Sequence, residues 1–139
     1  MVSYISSRRT KPAWWSDKEW TAAEDVNLRI LPHYYRAKVA ADEALYTVSK
    51  ERGSGFVGIN LRPGTLTLEP ARKVELGKTK GSTGTVSREA VAKVADLLLA
   101  SEGIGNTWLD LLDGEEDMEK AVERVVKEGV NAAEGEEIF

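Results

Sequence analysis

Apolar residues recur along this chain at two spacings, and the switches between them divide it into alternating strand-like and helix-like segments. Residues 2–5, Val-Ser-Tyr-Ile, form a short β-prone run close to the amino terminus. A basic, proline-marked loop follows, Arg8-Arg9-Thr10-Lys11-Pro12. Trp14, Trp15 and Trp20 then fall close together among charged residues. They read as a surface loop pinned into the core by aromatics, or as an aromatic wall beside a ligand pocket. The next spacing predicts a helix over 32–51. Pro32 suits a first helical position. Ala37, Ala40, Ala41, Ala44, Leu45 and Val48 follow the i, i+3, i+4, i+7 rule of a buried face, small enough to lie flat on a sheet. Gly53-Ser54-Gly55 ends this helix.

Residues 56–61 read as a strand stopped by Arg62-Pro63-Gly64. A turn-rich stretch then runs to Gly84. Within it, Gly77-Lys78-Thr79-Lys80-Gly81 is superficially like a phosphate loop, but the G-x-x-x-x-G-K-[ST] spacing is missing. It is expected to be the turn of a small hairpin pairing 74–76 with 85–86. Ser87 is a good N-cap for a helix to about residue 101, with Val91, Val94, Ala95, Leu98 and Leu99 on one side. Residues 107–112 read as another strand. Asp113 and Glu116 form a capping-box pair that predicts the start of a last helix. Its apolar face is Met118, Ala121, Val122, Val125 and Val126, its acidic first turn complements the helix dipole, and Gly129 ends it. The tail, 131–139, is expected to be loosely ordered. The alternation gives an α/β class.

Composition narrows the function classes. The 139 residues suffice for one domain, with 42% hydrophobic and 30% charged residues, ordinary globular values. Cysteine is absent, which excludes a disulfide scaffold, a thiolate metal site and a cysteine nucleophile. The one histidine, His33, excludes a multi-histidine metal site within the chain. A net charge of -4 argues against a nucleic-acid partner. No apolar run approaches the ~20 residues that span a bilayer, and residues 1–10 lack the apolar core of a secretory leader. The expectation is a cytoplasmic protein without a membrane partner.

The candidate chemistry lies in His33-Tyr34-Tyr35-Arg36-Ala37-Lys38. Tyr34 and Lys38 are four residues apart and share one helix face. An ammonium beside a phenol favours the phenolate, which makes tyrosine a candidate general acid/base. Taken alone, Y-x-x-x-K is most often an ordinary surface pair. His33 and Tyr35 read as packing or rim residues.

In order, the first strand Val2-Ser3-Tyr4-Ile5-Ser6-Ser7, the Tyr34-x-x-x-Lys38 helix with Ala40-Ala41-Asp42-Glu43, the strand ending Leu61-Arg62-Pro63-Gly64-Thr65-Leu66-Thr67, the segment Val86-Ser87-Arg88-Glu89-Ala90-Val91-Ala92 and the stretch 107–114 resemble the C-terminal half of an atypical short-chain dehydrogenase/reductase of the NmrA-like, NAD(P)H-binding branch. The resemblance implies a partial Rossmann-like, doubly wound sheet of about three core strands with flanking helices. It implies NADP or NAD as cofactor and a small carbonyl or hydroxyl substrate whose identity is open. It implies roles as well: Tyr34 as acid/base, Lys38 on the nicotinamide ribose, the Pro63-Gly64-Thr65 turn against the nicotinamide, and a serine, Ser6 with Ser7 and Ser3 as alternatives, on the substrate oxygen. The glycine-rich strand-to-helix turn that cradles a pyrophosphate is missing from the sequence. Residues 1–139 are therefore expected to be the C-terminal portion of a Rossmann-like domain. It would be a truncated oxidoreductase completed by an N-terminal half, or a non-catalytic module that forms a homo-oligomer through the exposed edge of its first strand.

Overall fold

The computed structural model describes residues 1–136. Four α-helices surround a three-stranded sheet. They are α1 (Asp17–Asp25), α2 (Pro32–Arg52), α3 (Arg88–Ala100) and α4 (Met118–Glu128). The strands are β1 (Ile59–Pro63), β2 (Thr65–Thr67), β3 (Val74–Gly77), β4 (Thr85–Ser87) and β5 (Thr107–Asp113). β5 lies in the centre of the sheet, parallel to β1 and antiparallel to β3. Residues 1–5 run parallel to β1 on its free side. Ser3 N donates to Leu61 O at 2.8 Å, Leu61 N to Met1 O at 2.9 Å and Ile5 N to Pro63 O at 2.9 Å. This is the expected first strand, reduced to a short ladder at the sheet edge.

Strand alternation divides the sheet into two unlike faces. Leu61, Leu109, Leu111, Val74 and Leu76 point to one side, where Ala90, Val94 and Leu98 of α3 and Ala121, Val122 and Val125 of α4 complete an apolar core. The intervening residues Asn60, Arg62, Trp108 and Asp110 are also buried, on the opposite side. Burying about 25 cal/mol for each Å² of apolar surface, the first face supplies the cohesion. The second must satisfy its charges by pairing.

Several expectations are corrected. β3 and β4 do not form a hairpin with one another. β3 joins β5, while β4 pairs in parallel with β2. Val74 and Leu76 are fully buried and gain more at the central sheet than in a two-stranded ribbon. Of the tryptophan segment, Trp14 and Trp15 lie in a turn as expected, but Trp20 lies in a helix. Ser16 caps α1 by accepting from Glu19 N at 3.2 Å, and the helix runs on through a π-helical turn, Val26–Ile30. Trp15 is buried, with its indole N–H on Thr79 O at 3.0 Å, so it does pin this segment to the core.

α2 has the expected span but buries another face. Val39, Asp42 and Ser49 turn inward, while Ala37, Ala40, Ala44 and Val48 face outward. The Asp42 carboxylate, held from below by Ser7 and Arg62, fixes that rotation. On α3, Ala90, Val94 and Leu98 are buried and Leu99 is exposed. Asp117, not Asp113, is the N-cap of α4, because Asp113 still belongs to β5. Gly129 caps its C-terminus in the left-handed region at φ 62°. Residues 131–136 are not loose. Asn131 Oδ1 accepts from Trp108 N at 3.3 Å and Ala133 N at 3.0 Å, Ala132 N donates to Trp108 O at 2.7 Å, and Ala132, Ala133 and Glu136 are buried. The end of the expected tail, 137–139, lies outside the described residues.

Candidate functional site

The N-terminal segment touches both the carboxyl end of β1 and the start of α2. Tyr34 and Lys38 lie one turn apart at the start of α2, as their spacing requires. Tyr34 is 44% exposed, so its phenol is open to a ligand. The Lys38 ammonium lies over the Tyr34 ring, 5.4 Å from its centroid, and donates to Val2 O at 3.4 Å. That one long bond leaves the ammonium with donors to spare. The ring of Tyr4 tilts against that of Tyr34 with centroids 5.0 Å apart.

Ser6 is buried at the end of the N-terminal segment, and the Ile5–Pro63 ladder bond sets it beside the Pro63 turn. Ser7 is already committed, its hydroxyl donating to Asp42 Oδ2 at 2.8 Å. Ser3 is buried below. Gly64 follows β1, with Gly64 N on Leu111 O at 3.0 Å. A Cβ there would stand 2.4 Å from Leu112 Cδ2 and 2.7 Å from Gly84 O, so the turn closes only with glycine. Thr65 opens β2 and is exposed. Among the described residues no hydrogen bond joins Tyr34 or Lys38 to Ser6, Pro63, Gly64 or Thr65. The structure brings Tyr34, Lys38 and the N-terminal segment together and sets Ser6 beside Pro63 as a second group.

Asn27, which the sequence reading passed over, links the two groups. Its Oδ1 accepts from the Tyr4 hydroxyl at 2.6 Å and its Nδ2 donates to Ser6 O at 2.6 Å. Burial, followed by the neighbouring Tyr35 and Tyr34, holds the Tyr4 phenol well above its ordinary range. Tyr4 is therefore a neutral donor at physiological pH, locked on Asn27. Tyr35 is half-buried, its hydroxyl on Arg8 O at 3.3 Å, and His33 is exposed, its Nδ1 2.8 Å from Arg36 Nη2. Both keep their packing and rim roles.

Beneath α2 lies a buried charged layer that the sequence reading also missed. Arg8 Nη2 donates to both oxygens of Asp110, at 2.7 and 3.0 Å. Arg62 Nη1 donates to Glu136 Oε1 at 2.8 Å, and Arg62 Nη2 donates to Ser7 O. Each guanidinium stacks on an indole at 4.4 Å, Arg8 on Trp15 and Arg62 on Trp108. Burial pushes Asp110 up to about 6 against the pull of Arg8 and Arg62, and burial raises Asp42 against Arg62 and Ser7. The one sequence signal was charged residues at alternate positions of apolar strands.

The groups at the start of α2 fit the nicotinamide riboside end of a dinucleotide, offering an ammonium with free donors and an open phenol. Among the described residues the pyrophosphate finds no such fit. The four helix N-caps are Ser16, Leu31, Ser87 and Asp117, none of them in a glycine-rich turn after a strand.

The model of the NAD(P)H-binding family matches residues 2–102. The chain belongs to that family. Three solved structures share its fold. The oxidoreductase YlbE of Lactococcus lactis superposes with a TM-score of 0.63 at 22% identity, over 91% of this chain and 50% of that one. A Bacillus halodurans protein assigned as an NAD-dependent epimerase/dehydratase gives 0.66 at 25% identity, over 89% and 50%. A short-chain dehydrogenase/reductase of Veillonella parvula gives 0.54 at 23% identity, over 81% and 48%. No curated protein matches the chain. The chain thus spans about half the length of these relatives. Its fold is the Rossmann-like one of that family and of atypical short-chain dehydrogenases/reductases, here a small sheet with flanking helices. Among the described residues no helix is long and apolar enough to cross a membrane.

Proposed function

We propose that this chain carries the acid/base and nicotinamide-facing half of an NAD(P)-dependent oxidoreductase acting on a small carbonyl or hydroxyl compound. The supporting observation is the Tyr34–Lys38 pair on α2, open to solvent beside the N-terminal segment and inside the region matched by the family model. When bound, the reduced nicotinamide supplies the hydride. Tyr34 gives its phenolic proton to the substrate oxygen as that hydride arrives at carbon, and takes it back in the oxidation direction. Lys38 holds the ribose hydroxyls and stabilises the phenolate left on Tyr34. Ser6 orients the substrate oxygen, and Pro63, Gly64 and Thr65 bound the nicotinamide. Residues 1–139 are the C-terminal portion of the dinucleotide-binding domain, and a glycine-rich half supplies the pyrophosphate site. In the assembled enzyme, Tyr34→Phe should lower NADPH-dependent carbonyl reduction by about 100-fold or more. Unchanged turnover in that variant would remove Tyr34 from the mechanism.

One surface favours a second reading, a non-catalytic module that binds a protein through its sheet edge. Met1, Val2, Ile59, Leu61, Ala95, Leu98 and Leu99 line an apolar groove of about 230 Å³ beside the free edge of residues 1–5. A module of this kind binds no nicotinamide and associates through that edge. A monomer that stays dilute and stable in analytical ultracentrifugation would count against it.

A further inference from the structure

A cavity of about 230 Å³ opens between α2 and the polar face of the sheet, lined by Ser7, Arg8, Asp42, Arg62, Trp108 and Glu136, with the Arg9–Glu43 ion pair at its rim. Its volume is several times the ~30 Å³ that one water occupies. Both arginines are wholly buried, yet their hydrogen bonding is incomplete. Among the described residues Arg8 hydrogen-bonds only through Nη2, on Asp110, and its Nε and Nη1, like Arg62 Nε, are buried without a hydrogen-bond partner. Glu136 does not satisfy Arg8: it bonds Arg62 Nη1 at 2.8 Å but stays 3.8 Å from Arg8 Nε. A carboxylate here is thus drawn by two guanidiniums and reaches only one. Buried N–H groups of this kind ordinarily find an acceptor.

We propose that this cavity binds a small carboxylate-bearing molecule, which displaces Glu136 and bridges Arg8 and Arg62. Glu136 belongs to the segment 131–136, tethered through Asn131 and Ala132 to β5, and its carboxylate fills the anion position from within. A free ligand with the same head group, not bound by that tether, can sit between the guanidiniums and complete the fork-like pairing that arginine favours. The charges allow the exchange. Without Glu136, the two guanidiniums face two carboxylates, Asp42 and Asp110, both of which burial disposes toward protonation. The site is separate from the Tyr34–Lys38 pair and does not depend on the oxidoreductase reading.

The test is a titration of the full chain with succinate at constant ionic strength, with succinamide as the neutral control. Tryptophan fluorescence reports the site, because the guanidiniums stack on Trp15 and Trp108. The indole N–H resonances of these two residues in NMR spectra locate the change. The expected result is a saturable response to succinate and none to succinamide. Glu136→Gln, which keeps the shape and gives up the competing charge, should bind succinate at least tenfold more tightly. Equal responses to the two compounds, or an unchanged affinity in Glu136→Gln, would overturn the proposal. Should Glu136→Gln fail to fold, Glu136→Ala gives a second reading. Acetate, matching the truncated atoms, should raise its melting temperature where chloride does not, and equal effects of the two salts would again overturn the site.

Discussion

Replacing Arg8 by methionine removes the guanidinium from beneath α2 and keeps most of its bulk. In the native chain that group holds both oxygens of the fully buried Asp110. The Asp110 carboxyl, raised by burial to about 6 from 3.8, is raised further once its nearest cation is gone. A carboxyl whose folded-state value is raised stabilises the fold most below its unfolded value and loses that contribution as pH rises through the folded value. In the native chain the loss falls between about pH 4 and 6 and amounts to about 3 kcal/mol at 1.36 kcal/mol per unit. Arg8→Met shifts this window upward. It should therefore destabilise the chain by about 3–5 kcal/mol at pH 8, the ordinary penalty for breaking a buried pair. At pH 5, where Asp110 is largely protonated in both chains, the deficit should be clearly smaller. Urea unfolding followed by far-UV circular dichroism at the two pH values measures this without using the tryptophan that Arg8 touches. The double change Arg8→Met with Asp110→Leu should recover most of the loss, because an apolar pair of similar volume leaves no buried charge. A deficit equal at pH 5 and pH 8, or no recovery in the double variant, would show that Arg8 acts by packing and not by charge.

Other expectations rest on single contacts. Gly64→Ala drives a Cβ against the Gly84 carbonyl and Leu112 and should destabilise by about 1–3 kcal/mol in urea unfolding, whereas Gly55→Ala, facing open space, should stay within about 0.5 kcal/mol. Asn27→Ala strands the Tyr4 hydroxyl and the Ser6 carbonyl and should cost about 1–3 kcal/mol by the same assay. Tyr34→Phe should leave unfolding within about 0.5 kcal/mol of the native chain, since the residue is 44% exposed and the change keeps the ring that packs on Tyr4. That allows a loss of turnover in this variant to be read as chemistry.

The elements legible in the sequence were those set by local rules. Pro32, Ser87 and Gly129 marked helix ends where the structure has them. The strands expected over 56–61 and 107–112 lie within a few residues of Ile59–Pro63 and Thr107–Asp113, the first shifted because residues 56–58 precede the ladder and Arg62 and Pro63 continue it. What escaped depended on the third dimension. The alanine stripe of α2 has a helical period, but period alone does not choose between two faces. The choice falls to Asp42, whose partners Ser7 and Arg62 lie far away in sequence. The pairing of β3 with β5 in place of β4 follows from the burial of Val74 and Leu76, which a local turn signal does not carry. The Tyr34–Lys38 pair could be read because its spacing is local. Asn27 and the Arg8–Asp110 and Arg62–Glu136 pairs could not, because each joins residues distant in the chain. Glu136 lies in the stretch 131–139, expected to be loosely ordered from its terminal position alone.

The nicotinamide-facing role proposed for α2 and the Pro63 turn is tested most directly by NMR titration of the labelled full chain with NADPH and, separately, with reduced nicotinamide mononucleotide. Shifts should cluster at residues 34–38 and 63–65, and the mononucleotide should bind about as well as the dinucleotide, because no pyrophosphate cradle is present among the described residues. Saturation without any shift at Tyr34 or Lys38, or shifts confined to the 77–84 loop, would contradict that role.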